Sequence, residues 1–230
     1  MPNDELSRRE SPSPAPAGDG DPAKQVRSPL RLLSDHTIVD GPEDAIATAR
    51  KAISLRQPIV FEGLVDPRFL QLLTRVLASA RFEPSAIERI GVRTTEVPGI
   101  AGDALCLALG RPDVLELMTS LIGGKPLTGV AGAVARIDRR SRGYLDWHDD
   151  LAEPQRRLAI TINLGDRSYR GGEFESRDLD APGVLFRHLH TRAGDALIFP
   201  IGPGLQHRVL PVTGGGPRMV FAGWFLGNPF

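Results

Sequence analysis

Two histidines and a carboxylate, His148, Asp150 and His207, are the residues of this chain best suited to chemistry. His148 and Asp150 are two apart, and in an extended strand that spacing turns both side chains to one face. His207 lies far downstream, a separation that lets several strands return a third ligand to the same place. Two imidazoles and one carboxylate leave neighbouring coordination positions open, which suits Fe(II) that must also bind substrate and oxygen. Asp149 is the rival carboxylate, but strand alternation turns it away from His148. Arg218 follows His207 across a Gly-rich turn, Gly214-Gly215-Gly216-Pro217. Its planar guanidinium matches a carboxylate in a bidentate way and stays charged when buried.

These residues need a scaffold, and the second half of the chain reads as one. Val130–Ile137, Leu158–Leu164, Gly172–Glu175, Val184–Leu189, Ala196–Phe199, His207–Val212 and Arg218–Leu226 are short apolar runs cut by Gly, Pro and Asp. That pattern predicts a sandwich or double-sheet jelly roll. Leu158, Ile160, Ile162 and Leu164 alternate with Ala159, Thr161 and Asn163, so one face of that strand is apolar and the other lines something more polar. Arg218 opens a strand expected to return antiparallel to that of His207.

The first half is mixed and mostly helical. Helices are expected from Gly41 to about Leu55, Pro67 to Ala80, Asp103 to Leu109 and Pro112 to Leu121, the last ended by Gly123-Gly124. Pro58–Phe61 and Gly91–Val97 read as strands. Residues 1–30, rich in Pro and Ser, read as a disordered tail. The fold class is therefore α+β. Residues 31–230 form one domain, with 31–126 as mainly helical support and 127–230 as the β-roll core.

Composition excludes several functions. Lys+Arg 28 balance Asp+Glu 28, so no basic field favours a nucleic acid or an anionic membrane surface. The single cysteine, Cys106, rules out an internal disulfide and a Cys-rich zinc site. No run is long enough to cross a bilayer and no signal peptide is visible, which makes the cytoplasm the expected compartment.

Four motifs in order resemble the Fe(II)/2-oxoglutarate-dependent dioxygenases, in their prolyl-4-hydroxylase-like branch. They are Trp147-His148-Asp149-Asp150, Gly171-Gly172-Glu173-Phe174, Gly194-Asp195-Ala196-Leu197-Ile198-Phe199, and His207-Arg208-Val209-Leu210-Pro211-Val212 leading to Arg218. The resemblance covers roughly Val130 to Phe225 and implies a double-stranded β-helix, cupin-like, with the helical half packed against it. It implies His148, Asp150 and His207 as iron ligands and Arg218 as the partner of the distal carboxylate of 2-oxoglutarate. With O2, oxidative decarboxylation to succinate and carbon dioxide would drive hydroxylation of a C–H bond in a small-molecule or amino-acid-like substrate. The retained Asp150 speaks against halogenation, whose enzymes lack that ligand.

Tyr144, Thr161 and Asn163 are the further candidates for the co-substrate pocket. Trp147 has two readings, pocket lining or packing beside the metal strand, and the sequence leaves both open. His188 and His190 read as solvated strand residues, and Trp224 as core. Two other functions share these residues: a cupin-like isomerase or hydrolase without an oxo-acid, and a catalytically inactive binding module.

Overall fold

Turn residues cut this chain into short strands, and the apolar face of each strand decides which side the helices cover. The computed structural model describes residues 24–87, 90–124, 126–180 and 186–228. The first part runs β1 (Lys24–Arg27), β2 (Leu30–Leu32), β3 (Thr37–Val39), α1 (Glu43–Ser54), β4 (Ile59–Glu62), α2 (Pro67–Ser79), β5 (Arg81–Ile87), β6 (Gly91–Val97), α3 (Ile100–Leu109) and α4 (Pro112–Ile122). The second part is built of strands: β7 (Leu127–Ile137), β8 (Tyr144–His148), β9 (Arg156–Asn163), β10 (Tyr169–Gly171), β11 (Phe174–Asp178) and β12 (Phe186–His188). Then come β13 (Ala196–Pro200), β14 (Leu205–Val209), β15 (Val212–Gly215) and β16 (Arg218–Gly227). Local chemistry sets the helix ends. Asp66 caps α2 by accepting from the Arg68 N–H with Pro67 at the first helical position, and Gly123 ends α4 at φ 60°.

The protein is predominantly β, a large mixed sheet with four helices among the described residues. Strands follow the order β1-β4-β13-β9-β16-β7-β6-β8-β14-β11-β12, with β5 paired to β6. The β1–β4 pair is parallel and the other pairings in this sheet are antiparallel. The sheet curls on itself: the Phe174 ring of β11 lies 4.7 Å from that of Phe199 on β13, although six strands separate β11 from β13 in the order. The bend falls at β6, which pairs with β7 through Thr94 and Thr95 and with β8 through Gly91 and Val92. A Cβ on Gly91 would stand 2.0 Å from the Tyr144 carbonyl oxygen, so only glycine lets the two strands approach there.

Alternation along β9 separates two environments, as expected. Leu158, Ile160 and Ile162, with Leu164 just beyond, join the main core with Phe221 and Phe225 of β16 and the buried faces of all four helices. The opposite face of the sheet looks into the curl, where Ala159 packs with Phe174, Leu197 and Phe199.

Three sequence expectations change. Residues 24–30 were assigned to the tail, yet Lys24–Arg27 pairs with β4 and Leu30 is fully buried; residues 1–23 lie outside the described residues. The first half is more than helical support, since β4 and β6 are interior strands of the sheet. Arg218 does open a strand, but β16 pairs with β7 and β9 and not with the strand of His207. Of the run expected over Val184–Leu189, residues 184 and 185 are outside the described residues. Among the described residues no helix is long and apolar enough to cross a membrane.

Candidate active site

His148 ends β8 and His207 lies on β14 as its direct cross-strand partner, so pairing register alone sets the two imidazoles on one face, ring centroids 4.1 Å apart. Asp150 reaches them by another route than strand alternation. The strand stops at His148, Asp149 accepts the Leu151 N–H in a tight turn, and Asp150 takes a left-handed backbone at φ 60°. Its Oδ1 lies 3.7 Å from His148 Nε2 and its Oδ2 3.4 Å from His207 Nε2, and candidate ligand atoms of all three residues lie within 4.8 Å of one another.

The protonation states suit a metal. His148 Nδ1 lies 2.7 Å from the Asp146 carbonyl oxygen, which fixes the proton on Nδ1 and turns the Nε2 lone pair towards Asp150. Burial first, and the charge of His207 second, push the His148 pKa down, so the imidazole is neutral. Burial opposes ionisation of Asp150, but the hydrogen bonds and charge of its neighbours, His207 foremost, outweigh it and hold the carboxyl well below the usual range. Asp150 is further fixed by Arg156 Nη1 at 3.3 Å on Oδ1 and by Trp224 Nε1, which donates to Oδ2 at 2.7 Å. The Arg156 guanidinium also lies 3.8 Å above the Trp224 ring.

The triad opens into a cavity of about 460 Å³ that Arg218 also lines. Arg218 is buried, 4% exposed, and its Nε and Nη2 have no hydrogen-bond partner. Burial lowers its pKa and Tyr169 raises it in part. Three more polar atoms around this guanidinium are buried and unpartnered, Tyr169 Oη, His188 Nε2 and His190 Nδ1. The charge of Arg218 acts on all three residues. Gly172, at φ 71°, explains one glycine of the Gly-Gly motif: a Cβ there would meet Arg218 Cδ at 3.2 Å and the Tyr169 ring at 3.1 Å. Leaving a buried donor unpaired costs roughly 1–3 kcal/mol, so this end of the cavity is built for an anionic acceptor.

The remaining sequence candidates separate. Thr161 lines the cavity and its Oγ1 is 2.9 Å from His190 Nε2. Asn163 is buried with its Oδ1 on the Gly165 N–H, and Tyr144 is 43% exposed; neither lines the cavity. Trp147 packs on the outer face between the guanidinium groups of Arg177 and Arg208, at 4.1 and 4.5 Å. His188 and His190 are not solvated: His190 is 4% exposed, and burial followed by the charge of Arg218 pushes His188 down to about 4. Trp224 packs against the inner cluster of Ala159, Phe174 and Phe199, as a core residue would, and also lines the cavity, for which a signal was present: Arg218, Val220, Ala222 and Trp224 share one parity on β16 and all line it. Arg93 of β6 lines it too and had no motif to announce it.

Residues 133–226 match the family described as the 2OG-Fe(II) oxygenase superfamily. A search of the curated proteins finds no match. Among solved structures, the chain is similar to an oxidoreductase of the 2OG-Fe(II) oxygenase family from Burkholderia pseudomallei, at 15% identity over 90% of this chain and 96% of that one, TM-score 0.62. A prolyl hydroxylase from Trichoplax adhaerens, solved with a hypoxia inducible factor peptide fragment, aligns at 15% identity over 80% and 90% of the two chains, TM-score 0.60. The epimerase SnoN, solved with Fe3+, alpha ketoglutarate and nogalamycin RO, aligns at 14% over 80% and 84%, TM-score 0.57. At these identities the structural likeness is one of fold; the match of residues 133–226, together with the His-Asp-His site, supports a 2-oxoglutarate-dependent oxygenase, an enzyme that needs Fe(II), 2-oxoglutarate and O2.

Proposed function

We propose that the protein hydroxylates a C–H bond of a small-molecule or amino-acid-like substrate, on a sheet curled as a double-stranded β-helix. The observation that carries this reading is the pair of unpartnered guanidinium nitrogens of Arg218, buried in the same cavity as the triad. His148 Nε2, the Asp150 carboxylate and His207 Nε2 would hold the iron, and Arg218 the distal carboxylate of 2-oxoglutarate, with Tyr169 Oη beside it as a further donor. When bound, the two supply oxidative decarboxylation, which puts one oxygen atom of O2 into succinate and the other into the substrate.

The chain's own residues then do the positioning. Trp224 and Arg156 hold Asp150 still, and the Asp146 carbonyl fixes the His148 ring. Phe174 and Phe199 flank the His207 ring at 5.7 and 4.8 Å and keep water from it. A cavity of about 460 Å³ that must also admit the oxo-acid favours a compact substrate. A metalloenzyme without an oxo-acid would leave the Arg218 end of the cavity with no ligand to satisfy.

Anaerobic addition of Fe(II) and then 2-oxoglutarate tests the reading. The expected result is a weak visible charge-transfer band, followed on admitting O2 by succinate release. Iron binding with no band and no succinate would refute the co-substrate assignment.

A further inference from the structure

Among the described residues, Arg93 is the one cavity cation without an assignment. Arg156 is engaged by Asp150 and the Trp224 ring, and Arg218 belongs to the co-substrate end. Arg93 lines the same cavity, its Nε is buried with no partner, and no hydrogen bond or ion pair ties it to another described residue. Asp150, the one carboxylate among the described residues whose charge reaches it, already has its four neighbours. Asp149 and Glu153 also line the cavity, yet neither forms an ion pair with Arg93, and Asp149 Oδ1 is taken by the Leu151 N–H.

The strand that carries Arg93 is held rigidly. Arg93 is paired to Ser85 of β5, its neighbours Val92 and Thr94 are paired to β8 and β7, and Glu96, the residue before the strand's last, is buried. Both Glu96 oxygens accept N–H groups at the start of α3, from Ala101 at 2.9 Å and Gly102 at 3.0 Å. Such pairing fixes the backbone from which the Arg93 side chain enters the cavity, so ligand binding need not order the strand as well. The wall around it is apolar: Ile90, Ile137, Leu145 and Val220 line the same space.

We infer that Arg93 anchors a carboxylate of the substrate, so that the molecule oxidised is an acid with an apolar body lying along this wall towards the triad. The inference rests on the 2-oxoglutarate reading above and names the substrate class for that site. Asp149 and Glu153 at the same cavity would repel an acid that bound without such an anchor, which makes Arg93 a determinant of orientation as well as affinity.

The probes are saturated carboxylic acids from butanoate to octanoate, each against its primary amide, added to protein loaded with Fe(II) and 2-oxoglutarate. The readouts are the charge-transfer band without O2 and succinate release with it. Acids are expected to shift the band and raise succinate release where their amides do not. Arg93→Gln should raise the half-saturating acid concentration at least about tenfold, and Arg93→Lys, a point charge without the fork, should lose less. Co-substrate affinity should stay within about twofold, because Arg218 holds that ligand. The inference is overturned if amides act as well as acids, if neither acts, or if Arg93→Gln weakens 2-oxoglutarate more than the acid. The acid-against-amide contrast is read on the unmutated protein and stands even if a variant misfolds. A band that never forms in that protein sinks the co-substrate reading first and this inference with it.

Discussion

Asp150 sits among four side chains that complete its charge and hydrogen bonding, whereas Arg218, in the same cavity, keeps two guanidinium nitrogens with no partner at all. Around Asp150 the protein has built a closed set: two imidazoles, a guanidinium and an indole N–H fix a carboxylate before a metal arrives. Around Arg218 it has left donors open, with Tyr169, His188 and His190 each holding a buried polar atom unused. In the function proposed above, the metal end is preorganised and self-satisfied, and the Arg218 end is completed only by its ligand. Fe(II) affinity should therefore depend on the protein's internal contacts, and protein stability should depend on 2-oxoglutarate.

Removing Asp150 breaks the closed end and has the largest expected effect. Asp150→Ala should abolish measurable Fe(II) binding in an anaerobic titration and reduce succinate release to background. A variant that still bound iron like the parent would break the triad assignment. At the open end, Arg218→Gln should leave iron binding intact and raise the 2-oxoglutarate Kd about 100-fold, the loss of a charge-assisted pair. The contrast can be read without turnover. At 100 times its Kd, 2-oxoglutarate should stabilise the parent by about 2.7 kcal/mol and raise its Tm, while leaving the Tm of Arg218→Gln at that concentration almost unchanged. An equal rise in both would mean that the oxo-acid does not meet this guanidinium.

Trp224→Phe sharpens the comparison more gently. It removes one hydrogen bond to Asp150 Oδ2 and keeps an aromatic ring under Arg156. Loss of such a supporting contact lowers metal affinity by roughly 10-fold. Fe(II) affinity should fall by that factor while the 2-oxoglutarate Kd, measured at saturating iron, holds.

The closed end was legible in the sequence because it is carried by residue identity, yet the reason given for it was wrong. His148 and Asp150 meet through a left-handed turn and not through strand period, since β8 ends one residue before the turn begins. Arg218 was legible from its place after the Gly-rich turn, and with it the parity that sets Trp224 on the cavity face as well as against the inner cluster. The surroundings of Arg218 were not legible. His188 lies at the edge of the large sheet and Tyr169 on the separate β10–β15 pair, and only the packing of the two sheets gathers these residues and His190 at one guanidinium. Arg93 was hidden for the same reason, being placed by the bend at β6. The strand β1 was missed because it is an edge strand of mostly exposed polar residues, with no apolar alternation to announce it.

The two histidines give the smallest effect near neutral pH and the finest view of the open end. Burial, then the charge of Arg218, lowers the His188 pKa to about 4 and holds that of His190 well below the usual histidine value. An unfolded histidine titrates near 6.5, so between those values the unfolded chain binds more protons than the folded one. The folded state is therefore favoured above pH 6.5 and loses stability as pH falls towards 4. Denaturant midpoints across that range should drop, and the double variant His188→Gln, His190→Gln should show a shallower drop. Bound 2-oxoglutarate should act in the same direction on the parent, because a carboxylate at Arg218 offsets the charge that disfavours the imidazolium forms. If saturating oxo-acid left the pH profile of the parent unchanged while the double variant flattened it, the histidines would be buried beside Arg218 without sensing its ligand, and the open end would be smaller than the unpartnered atoms imply.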